Sequence, residues 1–342
     1  MNKIKIAVVM GGKTPEHKIS LISGQEVVRN LRNNKYTILP IVINSSGTKW
    51  QLISPDRLLK IPEHKLLKGA KKEIAKSSKR NLSGVEQIAR RVDVVFIAMH
   101  GPFGEDGTIQ GMFELVGVKY TGPGVLASAL GMDKLMFRKV MKAVDIPYPR
   151  CVALKKNDSI TKVGKELGSL PYFVKPHNQG SSVGCSIVNS RKQLNKALEL
   201  AWKYSDTALV DEYLKGIEIT CGVIGNENPA ALPLVEIVPL KEQFFDYASK
   251  YTESGAEEIV PARVSKKTTS DIQRMAIKVF KELGCRGFSR VDFILVNKNA
   301  PIVLEINTIP GLTPMSLLPK AAKEAGYSYS TFLDKIINYA IK

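Results

Sequence analysis

No apolar run in these 342 residues approaches the ~20 that a membrane-spanning helix needs. Ile6–Met10 is too short for the apolar part of a secretory signal, and no small-residue cleavage site follows it. A cytoplasmic protein is expected, with no membrane insertion. Cysteine is scarce. The four present, Cys151, Cys185, Cys221 and Cys285, lie far apart and form no CxxC pair. That argues against a zinc site or a disulfide framework and leaves reduced, mostly buried thiols. A Walker A loop is missing too: Gly12-Lys13-Thr14 would need a glycine five residues earlier, where Ala7 stands. No GxGxxG dinucleotide fingerprint follows the first strand either.

Acidic residues are the scarcer charge, 32 against 50 basic, for a net charge of +18. Such a balance can signal a nucleic-acid partner. The basic stretch from Arg57 to Arg91 includes Lys60, Lys65, Lys68, Lys71, Lys72, Lys76, Lys79 and Arg80, but has no interleaved aromatics to stack bases. No helix-turn-helix, zinc-finger or RNP pattern occurs, so no nucleic-acid partner is expected. A solvated insertion in a protein with anionic substrates is the simpler account.

What is present reads as an α/β chain. Lys5–Met10 is a short apolar run that ends in Gly11-Gly12, as a buried parallel strand feeding a glycine turn does. Ser20–Leu31 reads as a helix, and Ile38–Ile43 and Val92–Ala98 as further strands. Between those two strands, about 44–91 is an elaboration with a weak strand at Lys49–Ile53 and then an exposed, helical, lysine-rich part. Tyr120–Gly124 is a turn-rich boundary. A helix follows with Lys134 near its start. Phe173–Lys175 and Cys185–Val188 flank a glycine-serine loop like two strands of a hairpin. Phe288–Leu295 and Ile302–Ile306 form another pair, joined by a turn holding Asn297, Lys298 and Asn299.

Three constellations carry chemistry. Gln179–Gly184, just after Val174-Lys175-Pro176, could close backbone N–H groups on phosphate oxygens with a lysine beside them; taken alone it could be a plain hairpin turn. Arg290 and Asp292 share one face of a strand, and Glu305 and Asn307 share one face of the next. If those strands pair, Asp292, Glu305 and Asn307 converge as hard oxygen donors suited to magnesium, with Arg290 beside them to neutralise a developing anion. Asn307–Gly311 then turns sharply, and the Gly311 amide could approach an oxyanion. Asp211, Glu212 and Leu214, with Glu218, could bind an adenine edge and a ribose, although a solvated turn is the default for such a segment.

Together these residues resemble the ATP-grasp family. The resemblance narrows to the D-alanine–D-alanine ligases on Met10–Ser20 (MGGKTPEHKIS), Met99–Gly107 (MHGPFGEDG), Met132-Asp133-Lys134, Val174–Gly184 (VKPHNQGSSVG), Asp246–Tyr251 (DYASKY), Ser289–Asp292 and Leu304–Pro314 (LEINTIPGLTP). It spans the chain from residue 4 to about residue 335, with 44–91 as the main stretch lacking a close match.

The resemblance implies an α/β N-terminal domain (1–122) and two lobes, 123–216 and 217–342, that grip ATP between their sheets. It implies ligation of two D-alanines through an acyl phosphate, for peptidoglycan precursors, with ATP as co-substrate and two magnesium or manganese ions. A homodimer is also implied. Glu16 resembles the carboxylate that holds the first substrate's ammonium, and Ser181 and Tyr251 its hydroxyl partners. His100 resembles the histidine near that substrate. Lys134, Lys175 and Lys250 resemble the phosphate-binding lysines, and Ser182, Asp211, Glu212, Leu214 and Glu218 the other nucleotide contacts. Arg290 and the Gly311 amide resemble the oxyanion hole, and Asp292, Glu305 and Asn307 the metal ligands. Ser316 and Leu317 resemble the segment that receives the second substrate's carboxylate. One departure is Asp211, where the family usually has a glutamate against the adenine amine. The stretch from Glu242 to Glu258 is expected to close as a lid. The alternatives are a D-alanyl-D-serine or D-alanyl-D-lactate ligase, or a non-catalytic basic nucleotide-binding protein. The presence of Tyr251 and the absence of histidine in Phe245–Tyr251 favour an amine acceptor.

Overall fold

The computed structural model describes residues 3–32, 35–82, 84–240 and 256–342. The chain opens with β1 (Ile4–Gly11), α1 (His17–Asn30), β2 (Tyr36–Ile43) and β3 (Trp50–Ile53). Three short helices follow, α2 (Pro55–Leu59), α3 (Glu63–Leu66) and α4 (Lys71–Ser77), and then β4 (Ser78–Leu82), α5 (Glu86–Ala89), β5 (Val94–Ile97), α6 (Thr108–Leu115) and β6 (Lys119–Tyr120). The strands form one sheet in the order β4-β3-β2-β1-β5-β6. β1 pairs in parallel with β2 on one side and β5 on the other. The winding therefore reverses beside β1, and a crevice opens at the strands' carboxyl ends, where Gly11 and Ile97 lie.

The lysine-rich stretch differs from the sequence expectation. Lys60, Lys65, Lys68, Lys71, Lys72 and Lys76 are exposed. Leu58, Leu66 and Ile74, however, are buried in the same core as α1, and Gln25 Nε2 donates to the carbonyls of Leu58 and Ile61. β4 pairs antiparallel with β3 and extends the sheet. Burial of the apolar residues between the lysines holds the stretch down, although its composition alone looks solvated.

The middle of the chain contains α7 (Val125–Met132), α8 (Lys134–Ala143), β7 (Cys151–Lys155), α9 (Thr161–Leu167), β8 (Tyr172–Pro176), β9 (Ser186–Val188), α10 (Arg191–Ala201) and β10 (Thr207–Glu212). Its four strands run in the order β7-β10-β8-β9. Alternation sorts their side chains. Tyr172, Val174, Val152, Leu154, Ala208 and Val210 face one core with Leu194 and Leu198 of α10. Phe173, Lys175 and Asp211 face the other way.

The last part comprises β11 (Gly216–Gly225), β12 (Ala230–Ala231), β13 (Val235–Pro239), β14 (Ala256–Ile259), α11 (Lys266–Glu282), β15 (Gly287–Val296), β16 (Ala300–Asn307), α12 (Leu317–Glu324) and α13 (Tyr329–Ile341). The sheet order is β14-β13-β11-β15-β16, with β12 on β11. The hydrophobic cores cross the three segments read from the sequence. Phe137 and Met141 of α8 pack with Ile219, Val291 and Phe293 of this last sheet. Phe332, Leu333, Ile336 and Ile337 of α13 pack with Ile6, Val8 and Phe96 of the first sheet. Among the described residues, no helix is long and apolar enough to cross a membrane. Of the four free cysteines, Cys221 and Cys285 are buried, while Cys151 and Cys185 are only partly so.

Candidate active site

A cavity of about 690 Å³ opens between the middle and last sheets. Its floor at one end is the β15–β16 ladder, in which Asp292 lies opposite Glu305 and Arg290 opposite Asn307. The pairing brings the four polar side chains expected from the sequence onto one face. Arg290 forks onto both oxygens of Asp292 at 2.8 Å, and Asn307 Nδ2 donates to Asp292 at 2.9 Å. Burial pulls the Arg290 pKa down, but Asp292, with Glu305 and Glu105 behind it, outweighs that and holds the guanidinium firmly charged.

Lys134 enters from α8. Asp133 caps that helix, accepting from the amides of Leu135 and Met136, and this fixes Lys134 at the first helical position. The Lys134 ammonium lies 3.0 Å from Glu305 and donates to the Gln179 carbonyl at 2.7 Å. It thereby ties the glycine-serine loop to the acidic floor. In that loop Ser181 and Ser182 both have positive φ, 50° and 57°, a conformation that costs a non-glycine residue about 1 kcal/mol or more. Ser181, Ser182 and Lys175 line the cavity, as do Glu212, Leu214 and Glu218.

Asp211, which lines the cavity, has partners that the sequence reading did not foresee. Arg138 forks onto both oxygens at 2.5 and 2.6 Å, and Lys175 lies 3.0 Å away. Burial would raise the Asp211 pKa, but Lys175 and Arg138 together hold it below the usual carboxylate range. The side chain is short and faces the same side of the sheet as Lys175, so both oxygens are taken up by these cations.

At the crevice of the first sheet, Glu16 lies at the start of α1 and is 7% exposed. The Ser181 hydroxyl donates to it at 2.5 Å. A glycine is required at 101: its φ is 71°, and a Cβ there would come within 2.3 Å of a Glu16 oxygen. His100 is buried with both ring nitrogens engaged, Nδ1 with the Ile309 carbonyl at 2.9 Å and Nε2 with Ser23 Oγ at 2.8 Å. It is a strut between the first sheet and the loop after β16. Burial opposes its protonation, yet the Glu105 carboxylate 3.8 Å away raises its pKa. Glu105 is itself pushed up by burial.

The same loop carries Gly311. A Cβ at that position would meet Ser316 Oγ at 2.8 Å, so the backbone there lies against Ser316. Ser316 precedes α12, its hydroxyl accepts from the Thr313 amide at 3.1 Å, and Leu317 is the first residue of the helix. Lys250 and Tyr251, and the expected lid apart from 256–258, lie outside the described residues.

The sequence reading did not single out Arg138, Glu105 or Ser23. Arg138 was detectable as the residue one helical turn past Lys134, and Glu105 as the acid within the Met99–Gly107 segment. Ser23 had no local signal.

The donor set on the floor fits a divalent cation. Asp292, Glu305 and Asn307 offer hard oxygens, as magnesium and manganese require. Arg290 and Lys134 already set positive charge against two of them. Among the described residues, no cluster of three or more His, Cys, Asp or Glu could hold an ion. Such an ion would therefore need further oxygens from a bound phosphate and water.

Known proteins resemble this chain over its whole length. The family model for the D-ala D-ala ligase N-terminus matches residues 5–123, and the model for the D-ala D-ala ligase C-terminus matches 140–338. A D-alanine--D-alanine ligase from Thermoanaerobacter sp. (strain X514) is 39% identical over 353 residues, covering 100% of this chain and 98% of that protein. One from Pelotomaculum thermopropionicum is 36% identical over 348 residues, covering 99% and 97%. The solved D-alanine-D-alanine ligase from Coxiella burnetii superposes with a TM-score of 0.87 at 33% identity, covering 100% of this chain and 94% of that one. The VanG D-Ala:D-Ser ligase from Enterococcus faecalis superposes with a TM-score of 0.85 at 34% identity, covering 99% and 100%. With both family models matched and relatives alike over their full lengths, the chain belongs to the D-alanine–D-alanine ligase family.

Proposed function

We propose that this protein joins two D-alanines into D-alanyl-D-alanine at the expense of ATP, as a cytoplasmic homodimer that supplies peptidoglycan precursors. One observation above all supports the reading. A carboxylate suited to an ammonium (Glu16), a phosphate-suited lysine (Lys134) and an acidic floor (Asp292, Glu305) are linked through a single loop, by Ser181 to Glu16 and by the Gln179 carbonyl to Lys134, which reaches Glu305.

In this reading Glu16 holds the ammonium of the first D-alanine, and the Ser181 hydroxyl fixes the orientation of Glu16. Lys134 and Lys175 hold the nucleotide's phosphates, with Lys250 as a third cation. A carboxylate oxygen of the first D-alanine attacks the terminal phosphorus of ATP, and ADP leaves. The amine of the second D-alanine, having lost its proton, attacks the acyl carbon, and phosphate leaves with the transferred oxygen. Arg290 and the Gly311 amide stabilise the negative oxygen that forms at that carbon. Ser316 and Leu317, at the start of α12, receive the second substrate's carboxylate. One or two divalent ions held by Asp292, Glu305 and Asn307 would neutralise charge on the phosphates during transfer. Leu214, Glu218, Glu212 and Ser182 surround the rest of the nucleotide. The base is read chiefly by groups other than the Asp211 carboxylate.

Mass spectrometry of the products formed from ATP, magnesium and a mixture of D-alanine, D-serine and D-lactate tests this reading. D-alanyl-D-alanine should dominate above neutral pH. Any depsipeptide should be minor and relatively greater at acid pH, because a hydroxyl acceptor escapes the cost of deprotonating an ammonium. Depsipeptide as the main product at every pH would overturn the acceptor, and no ligation at all would overturn the function. Light scattering checks the dimer.

A further inference from the structure

Arg138 has no place in the scheme above, yet it is among the most buried charges of the molecule, 3% exposed. It lies one turn past Lys134 on α8, so both cations project from one face of that helix. It does not line the cavity, whereas its partner Asp211 and the next member of the chain, Lys175, both do. Arg138 takes both Asp211 oxygens in a fork, and Asp211 reaches Lys175 at 3.0 Å.

Charge on the cavity wall gives this arrangement a purpose. Among the described residues, four basic and six acidic side chains line the cavity. A polyphosphate entering such a wall is repelled unless the carboxylates are compensated from behind. At Asp211 the compensation is Arg138. Without it, Asp211 would have Lys175 as its main counter-ion, and the lysine's charge would be cancelled inside the wall. With the fork in place, the three residues carry a net single positive charge, and Lys175 is the member that presents it to the cavity. Asp211 at the same time fixes where the ammonium stands, 5.5 Å from the Phe173 ring centroid.

We infer that Arg138 is a positioning residue for nucleotide binding: by neutralising Asp211 it leaves the charge of Lys175 available to the nucleotide's phosphates. The inference rests on the reading of Lys175 as a phosphate ligand. A guanidinium suits this task because it meets both Asp211 oxygens at once.

The test is calorimetric binding of ATP and of adenosine to the wild type, Arg138→Met and the double variant Arg138→Met/Asp211→Asn. Arg138→Met should raise the Kd for ATP at least about ten-fold and leave that for adenosine within about two-fold. The double variant removes both the buried acid and its counter-ion, and it should regain most of the ATP affinity. Equal weakening of ATP and adenosine, unchanged ATP binding in Arg138→Met, or a double variant no better than the single would each overturn the inference. If Arg138→Met does not fold, Arg138→Gln and Arg138→Gln/Asp211→Asn give the same contrast with a neutral polar side chain left at 138. A wild type that binds ATP no more tightly than adenosine would remove the phosphate reading itself, and the inference with it.

Discussion

The Ser181 hydroxyl donates to the Glu16 carboxylate at 2.5 Å, one hydrogen bond joining residues 165 apart in sequence. It links the crevice of the first sheet to the loop above the cavity. A partly buried hydrogen bond to a charged group is worth about 1–3 kcal/mol when one partner is removed. Ser181→Ala should therefore raise KM for the first D-alanine by roughly 5- to 150-fold, with the fold intact by circular dichroism. An unchanged KM would mean that the bond only anchors the loop.

Glu305 has Lys134 at 3.0 Å and Asp292 across the ladder. Glu305→Gln keeps the shape and removes the charge. Turnover should fall by at least about 100-fold at saturating magnesium, and manganese binding measured by electron paramagnetic resonance in the presence of ATP should weaken. Wild-type turnover in this variant would overturn the assignment of Glu305 to the metal.

Asp211 links the site to acid stability. Lys175 and Arg138, against the opposing effect of burial, hold its pKa below the ordinary 3.8. The folded protein therefore binds this proton less readily than the unfolded chain. The resulting stability is fully present above about pH 4 and is lost as pH falls through the lower folded value. Asp211→Asn should be less stable than wild type at neutral pH, and the gap should narrow below pH 4. A gap that stays constant from pH 7 to pH 2 in denaturant titrations would contradict the ion chain.

The thiols should divide into two classes. Burial pushes Cys285 up to about 12 and Cys221 higher still, so neither supplies thiolate in the folded protein. Cys151 and Cys185 are partly exposed, and Cys185 lines the cavity. A chromogenic disulfide reagent should label two thiols in the native protein and four after unfolding. ATP should slow one of the native pair, and that protected phase should vanish in Cys185→Ser. Four fast thiols, or protection that survives Cys185→Ser, would refute this placement.

Much of the acidic floor was legible in the sequence because strand chemistry is local. Two apolar stretches with polar residues at alternate positions, joined by Asn297-Lys298-Asn299, point to a hairpin. Its period of two puts Arg290 with Asp292, and Glu305 with Asn307, on one face. The structure adds the register, Asp292 opposite Glu305, and a bulge after Asp292. The strand β1 ending at Gly11 and the hairpin around Gln179–Gly184 were legible for the same reason. β4 was not, because Ser78–Leu82 is a polar segment whose pairing with β3 depends on the apolar residues of α2, α3 and α4 being buried nearby.

The sequence by itself determined which residue types stand at which points of each strand, turn and helix start, because these depend on neighbours within a few positions. Only the tertiary structure decided which charges meet. The Glu16–Ser181 pair was expected from the family resemblance and is present, but Lys134 finds Glu305, and His100 spans from Ser23 to Ile309, across contacts no periodicity encodes. Asp211 shows the difference most sharply. Its position on β10 was readable, yet whether its oxygens faced a nucleotide or a buried arginine depended on α8 packing across the sheet. An ion pair is chosen by distance and burial in space, and those are set by the fold as a whole.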